Sequence, residues 1–149
     1  MTRALLFLLL AGCSQSVIHE GTSTECGTCH TEQYAQWKSS QHARSDTSEV
    51  YLALRPRVKA SWGALAEARC VACHEPGHAG ETFITCASCH LAVGNREDAN
   101  GAMVVELKAA VGAPEVPRHA PHAVSKRAFF NAPNLCGTCH EVKGPGHLE

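Results

Sequence analysis

Eight of the nine cysteines stand in four copies of one pattern: Cys26-Gly-Thr-Cys29-His30, Cys70-Val-Ala-Cys73-His74, Cys86-Ala-Ser-Cys89-His90 and Cys136-Gly-Thr-Cys139-His140. Paired cysteines alone would fit a disulfide scaffold or zinc knuckles, but neither requires a histidine after every second cysteine. With histidine at 10 of 149 positions, four such coincidences have a chance probability of roughly 2 in 100,000, whereas covalent haem attachment demands that histidine each time. Two thiols separated by two residues can add to the two vinyl groups on one edge of a porphyrin, and the imidazole of the next residue then reaches the iron. The spacing predicts four haem c groups. Cys26, Cys29, Cys70, Cys73, Cys86, Cys89, Cys136 and Cys139 are the expected attachment residues, and His30, His74, His90 and His140 the proximal iron ligands.

Aromatic residues make up only 5% of the chain although 44% of it is hydrophobic. A small domain normally fills its core with rings and branched aliphatics, so the composition calls for a core built from something else, and four macrocycles would supply it. The expected fold class is mainly α with little regular structure, a multihaem cytochrome c in which short helices and loops wrap around four covalently bound haems, with room for one small β-hairpin. Lys+Arg 13 against Asp+Glu 14 excludes a basic nucleic-acid binder. Two propionates per haem would make the loaded protein acidic.

Met1 to Leu10 is one arginine followed by a run of leucines, too short to span a bilayer and patterned as an export signal. It ends in Leu10-Ala11-Gly12-Cys13, which resembles the bacterial lipobox, where the cysteine thiol is lipidated and the preceding peptide removed. The expected organisation is a lipoprotein signal peptide over 1–12, a small polar tether over 13–25 and a tetrahaem domain over 26–149. Lipid on Cys13 would hold the protein on a periplasm-facing bacterial membrane.

Along the chain, Tyr34 and Trp37 predict a helix over Thr31 to Lys38. Asp46 can cap a second helix with Val50, Tyr51 and Leu54 on one face, ending at Pro56. Val58, Trp62 and Leu65 predict a third helix over Val58 to Ala68 that delivers the chain to Cys70. Asn95 to Gly101 reads as a turn, Ala102 to Ala110 as a strand or hairpin arm, the stretch with Pro114, Pro117 and Pro121 as an extended loop, and Ser125 to Phe130 as a helix.

Four histidines serve as proximal ligands, leaving His19, His42, His78, His119, His122 and His147 for the far sides of the irons. Met103, on an alternating apolar stretch, is expected in the core. His74-Glu-Pro-Gly-His78 is echoed by His140-Glu to Gly144-Pro-Gly-His147, which puts His78 and His147 in similar roles.

The stretch Cys26-Gly-Thr-Cys29-His30-Thr-Glu-Gln-Tyr34-Ala-Gln-Trp37-Lys-Ser-Ser40-Gln-His42 resembles the opening motif of the multihaem cytochrome c-554 type. There a Tyr, a Trp and a Ser-x-His follow the first attachment site, and the last histidine is a distal ligand. His42 matches it. Cys70 to His78 is similar to the family's second motif. The segment from Pro121-His122 to Phe130, followed by Leu135 to Val142, resembles its final segment, which favours His122 over His119. The resemblance implies His42, His78 and His122 as distal ligands and the echo of the His78 segment adds His147, which makes four distal candidates.

The expected function is a membrane-anchored electron-transfer protein, relaying electrons through four haems between cytochromes or quinone-linked oxidoreductases, with no nucleic acid involved. The alternative is a multihaem reductase or oxidoreductase subunit with one open five-coordinate haem acting on a small nitrogen or sulfur species. Six spare histidines for four irons, and no residue that stands out as catalytic, favour the carrier.

Overall fold

Thr22 opens the first helix, α1 (Ser23–Gly27). Its hydroxyl accepts from the Glu25 backbone N–H, and the Glu25 carboxylate accepts from the Thr22 N–H at 2.7 Å, a reciprocal capping box. The computed structural model describes residues 21–96, 99–107, 110–112 and 122–142. The signal and most of the tether, with Cys13, and the loop prolines Pro114, Pro117 and Pro121 lie outside the described residues. Helix α1 starts within the stretch assigned to the tether.

Five further helices follow: α2 (Thr31–Ser39), α3 (Glu49–Trp62), α4 (Ala64–His74), α5 (Cys86–His90) and α6 (Pro133–His140). His74, His90 and His140 are the last residues of α4, α5 and α6, and His30 is the residue before α2. Each attachment motif therefore sits at a helix boundary, where the imidazole can project beyond the last turn.

Strands β1 (Ala92–Asn95) and β2 (Met103–Val105) form an antiparallel pair, the small hairpin expected from the sequence. Ala92 faces Val105 and Asn95 faces Met103, with an irregularity between Ala92 and Gly94. Within the expected arm over Ala102 to Ala110, strand is found at Met103–Val105 and again at Ala110, which starts a separate strand. A second pair was not foreseen: β3 (Ala110–Val111) runs parallel to β4 (Val124–Ser125).

Three element assignments are corrected. Pro56 does not end the second helix but lies inside α3, on an exposed turn. There the carbonyl of Leu52, deprived of its helical partner, can bind water, although an interior proline still costs about 3 kcal/mol. Gly63, at φ 82°, makes the break instead, so the third helix starts at Ala64 rather than Val58. As a result α3 and α4 form an antiparallel hairpin in which Tyr51 is buried while Val50, Leu54, Trp62 and Leu65 are exposed, unlike the apolar faces drawn from their spacing. The expected helix over Ser125 to Phe130 is a strand followed by a 3-10 turn (Ala128–Asn131), with Pro133 then starting α6.

The buried apolar side chains among the described residues are Tyr51, Ala87, Leu91, Ala92 and Ala99, and the largest side chains wholly removed from solvent are Thr85, Thr138 and Ser23. This polypeptide core, centred on α5 and β1, is small and half of it is polar. No helix among the described residues is long and apolar enough to cross a membrane.

Candidate functional site

The loop between α4 and α5 ties the first motif to the third. Glu81 accepts from the Ser23 backbone N–H at 2.8 Å and from its hydroxyl at 2.9 Å, and Ser23 Oγ in turn accepts from the Cys86 N–H. Trp37 donates through Nε1 to the Ile84 carbonyl at 2.9 Å and stands between Tyr34 and Phe83, each ring centre 5.6 Å away. A Cβ at Gly27 would lie 2.6 to 3.0 Å from the Tyr34 ring. The residue between the two thiols of the first motif must therefore be glycine for that ring to close over it.

The second motif is held from the other side. Ser45 Oγ donates to the His74 carbonyl at 2.7 Å and accepts from the Ile84 N–H at 3.0 Å. His74 Nδ1 lies 3.0 Å from the Ser45 carbonyl oxygen. A carbonyl can only accept, so Nδ1 carries the proton and Nε2 is left bare for a metal. Tyr51 stacks on the same imidazole, 4.3 Å between centres and 6° between planes. Its hydroxyl donates to Glu75 at 2.7 Å, and burial, reinforced by that carboxylate, pushes the phenol up to about 12. Arg55 pairs with both Glu75 and Glu67, and Lys59 reaches Glu67 at 2.8 Å.

The turn between β1 and β2 connects the second and fourth motifs. Gly101, at φ 74°, donates to the Thr138 carbonyl at 2.6 Å, and a Cβ there would meet Ala72 at 2.7 Å. Asn100 N–H donates to the Glu141 carbonyl and Asn95 Nδ2 to Thr138 Oγ1. At the third motif, the His90 ring packs on Phe130 with centres 4.9 Å apart.

Two histidine pairs stand out. His30 faces His122 with ring centres 6.2 Å apart, and His140 faces His42 at 6.1 Å. An imidazole nitrogen binds a transition metal at about 2 Å, which sets the ring centre about 3 Å from the metal and two opposed rings about 6 Å apart. Both pairs meet that distance, each joining a motif histidine to one of the spare histidines. A porphyrin brings four nitrogens of its own and asks the protein for two axial donors. The two histidine pairs supply such donors, and no group of three or more metal-binding side chains occurs among the described residues. The donor set fits the group.

A cavity of about 340 Å³ lies beside the second of these pairs, in the size range of cofactor sites. His42, His140, Cys136, Cys139, His78 and Met103 are among the residues that line it. His78 and Met103 thus border the fourth motif, while His19, His119 and His147 lie outside the described residues.

The thiols are free and neighbour one another across motifs. Burial pushes the Cys26 thiol up, and the adjacent Cys86 adds to the effect. Cys89 is likewise raised by burial, with Cys136 the next cause. Interaction between Cys73 and Cys139 lowers the first thiol and raises the second. The bond from Cys86 to Ser23, the cavity wall shared by Cys89 and Cys136, and the contacts of Gly101 with Thr138 and Ala72 set the first motif beside the third, the third beside the fourth and the fourth beside the second.

Sequence reasoning picked out both members of each histidine pair but not which partner each would meet. It missed Ser45, Tyr51 as a partner of His74, and Phe130 as a partner of His90, because no local pattern marks contacts between separate segments.

The family model for cytochrome c554 and c-prime matches residues 25–90, which include the first three motifs, His42 and His78. No curated protein and no solved structure matches the chain. The family match supports a haem-binding cytochrome c fold and a general role in electron transfer.

Proposed function

We propose that the chain is an electron carrier holding four c-type haems, and that it passes electrons between other redox proteins while lipid on Cys13 keeps it at a periplasm-facing membrane. The eight motif cysteines would attach the porphyrins, and His30, His74, His90 and His140 would bind the irons from the near side. His122 and His42 would complete the first and fourth sites, with His78 and His147 the remaining distal candidates. When bound, haem supplies a one-electron redox centre. The chain's own residues supply position: Ser45 directs Nε2 of His74, Tyr34 and Trp37 cover the first motif, and the turn at Gly101 sets the second against the fourth.

The observation that carries this reading is the spacing of the two histidine pairs, 6.2 and 6.1 Å. Irons held on both faces change oxidation state without changing ligands, which suits a carrier better than an enzyme with an open site. The bonds that tie the first motif to the third and the second to the fourth, with the cavity wall shared by Cys89 and Cys136, also support a continuous run of centres in the order first, third, fourth, second.

The test combines intact mass, a pyridine haemochrome assay and EPR on the purified holoprotein. Four haems per chain are expected, and His42→Ala should keep all four while turning one low-spin signal high-spin. A colourless protein, or an unchanged low-spin count in the variant, would overturn the assignment. Rapid carbon monoxide binding to one haem of the reduced, unmodified protein would favour the enzyme instead.

A further inference from the structure

The sequence marks His74 only as the end of its motif, yet in the structure it is enclosed on two sides. Tyr51 lies flat against the imidazole at 4.3 Å, and the Ser45 carbonyl accepts a hydrogen bond from Nδ1 at 3.0 Å. Neither neighbour is free to drift. Tyr51 is 6% exposed and its hydroxyl is bound to Glu75, which Arg55 holds in turn. Ser45 is 8% exposed, and its hydroxyl bonds the His74 carbonyl and the Ile84 amide.

These contacts restrain different motions. A hydrogen bond along Nδ1 fixes the tautomer and the direction of Nε2 but leaves the ring able to rock about that axis. A parallel ring stacked on the imidazole face blocks the rocking. Such contacts between aromatic rings are worth about 0.5–1.5 kcal/mol beyond the area they bury, enough to favour one orientation. The rotation of an axial imidazole about its bond to iron determines how its π orbitals meet those of the metal, and so affects the electronic signature of the centre.

We propose that Tyr51 is a positioning residue for the second motif: its ring, stacked on His74, sets the plane in which that imidazole meets its iron. The inference rests on the reading that Cys70 and Cys73 carry a haem. The ring, not the hydroxyl, performs this role: burial, with the Arg55 guanidinium 5.9 Å over the ring, keeps it in register.

The test uses the holoprotein with two variants, Tyr51→Phe and Tyr51→Leu. Peptide mass at Cys70 and Cys73 reports first whether a haem is attached. If the unmodified protein has none there, the underlying reading fails and this inference with it. With haem present, Tyr51→Leu should shift the EPR g-values and the midpoint potential of one centre and leave the others in place. Tyr51→Phe should keep the parental g-values, a rescue that loss of packing near the phenol oxygen would not produce. The proposal is overturned if the Leu variant retains its haem and its spectrum overlays the parental one, or if the Phe variant shifts as far as the Leu variant. Should the Leu variant lose its haem, the Phe variant decides: parental g-values support the proposal and altered ones sink it.

Discussion

Glycines occupy equivalent positions in the first and fourth motifs, yet their surroundings differ. A Cβ on Gly27 would press into the face of Tyr34, whereas the nearest atom to a Cβ on Gly137 is a Glu141 carboxylate oxygen at 3.8 Å. Gly27→Ala should therefore lower the unfolding free energy by about 1–3 kcal/mol, the usual effect of overpacking a filled site. Gly137→Ala should stay within about 0.5 kcal/mol of the parent. Denaturant melts of the two holoproteins check the contrast; equal losses would show that Tyr34 does not close over the first motif. At this scale the sequence exposes the chemistry of a residue but not its neighbour, since Cys-Gly-Thr-Cys-His is written identically in both motifs.

Among the elements, the α3–α4 hairpin carries the clearest electrostatic signature. Lys59 first, and then Arg55, hold the Glu67 carboxyl below its usual value of 4.5. A carboxylate depressed in the folded state favours folding at pH above its unfolded value, and that contribution is lost as the pH falls through the lower folded value. The protection of α3 and α4 amides against hydrogen exchange in the holoprotein, taken relative to their intrinsic rate at each pH, should therefore fall on acidification below about 4.5, and Glu67→Gln should flatten the dependence. A variant with the parental pH slope would remove Glu67 as the cause. The hairpin was also the least legible element in the sequence. Pro56 reads as a helix end because its ring removes a backbone donor, but on an exposed turn water can serve the orphaned carbonyl, and Gly63 supplies the break. By contrast α2 was legible over nearly its whole length, because Tyr34 and Trp37 share one face and pack against each other.

For the molecule as a whole, the chain buries one aromatic residue, one leucine and three alanines as its apolar core among the described residues. That is too little apolar surface to offset the ordering entropy of a domain this size, so the fold should depend on the groups it attaches. A variant with all eight motif cysteines replaced by alanine should show far-UV circular dichroism of a largely unfolded chain; helical content equal to that of the holoprotein would contradict it. The same expectation follows from the number of motifs and the scarcity of aromatic residues in the sequence. The pairing of histidines stayed hidden because it is a property of chain closure, which a one-dimensional pattern does not encode.

His30 lies near the start of the described chain and meets His122 near its end; His42 and His140 repeat the arrangement. If the chain is exported from its N-terminus, as proposed, His30 and His42 emerge ahead of His122 and His140, and neither pair can close until the last segment has crossed.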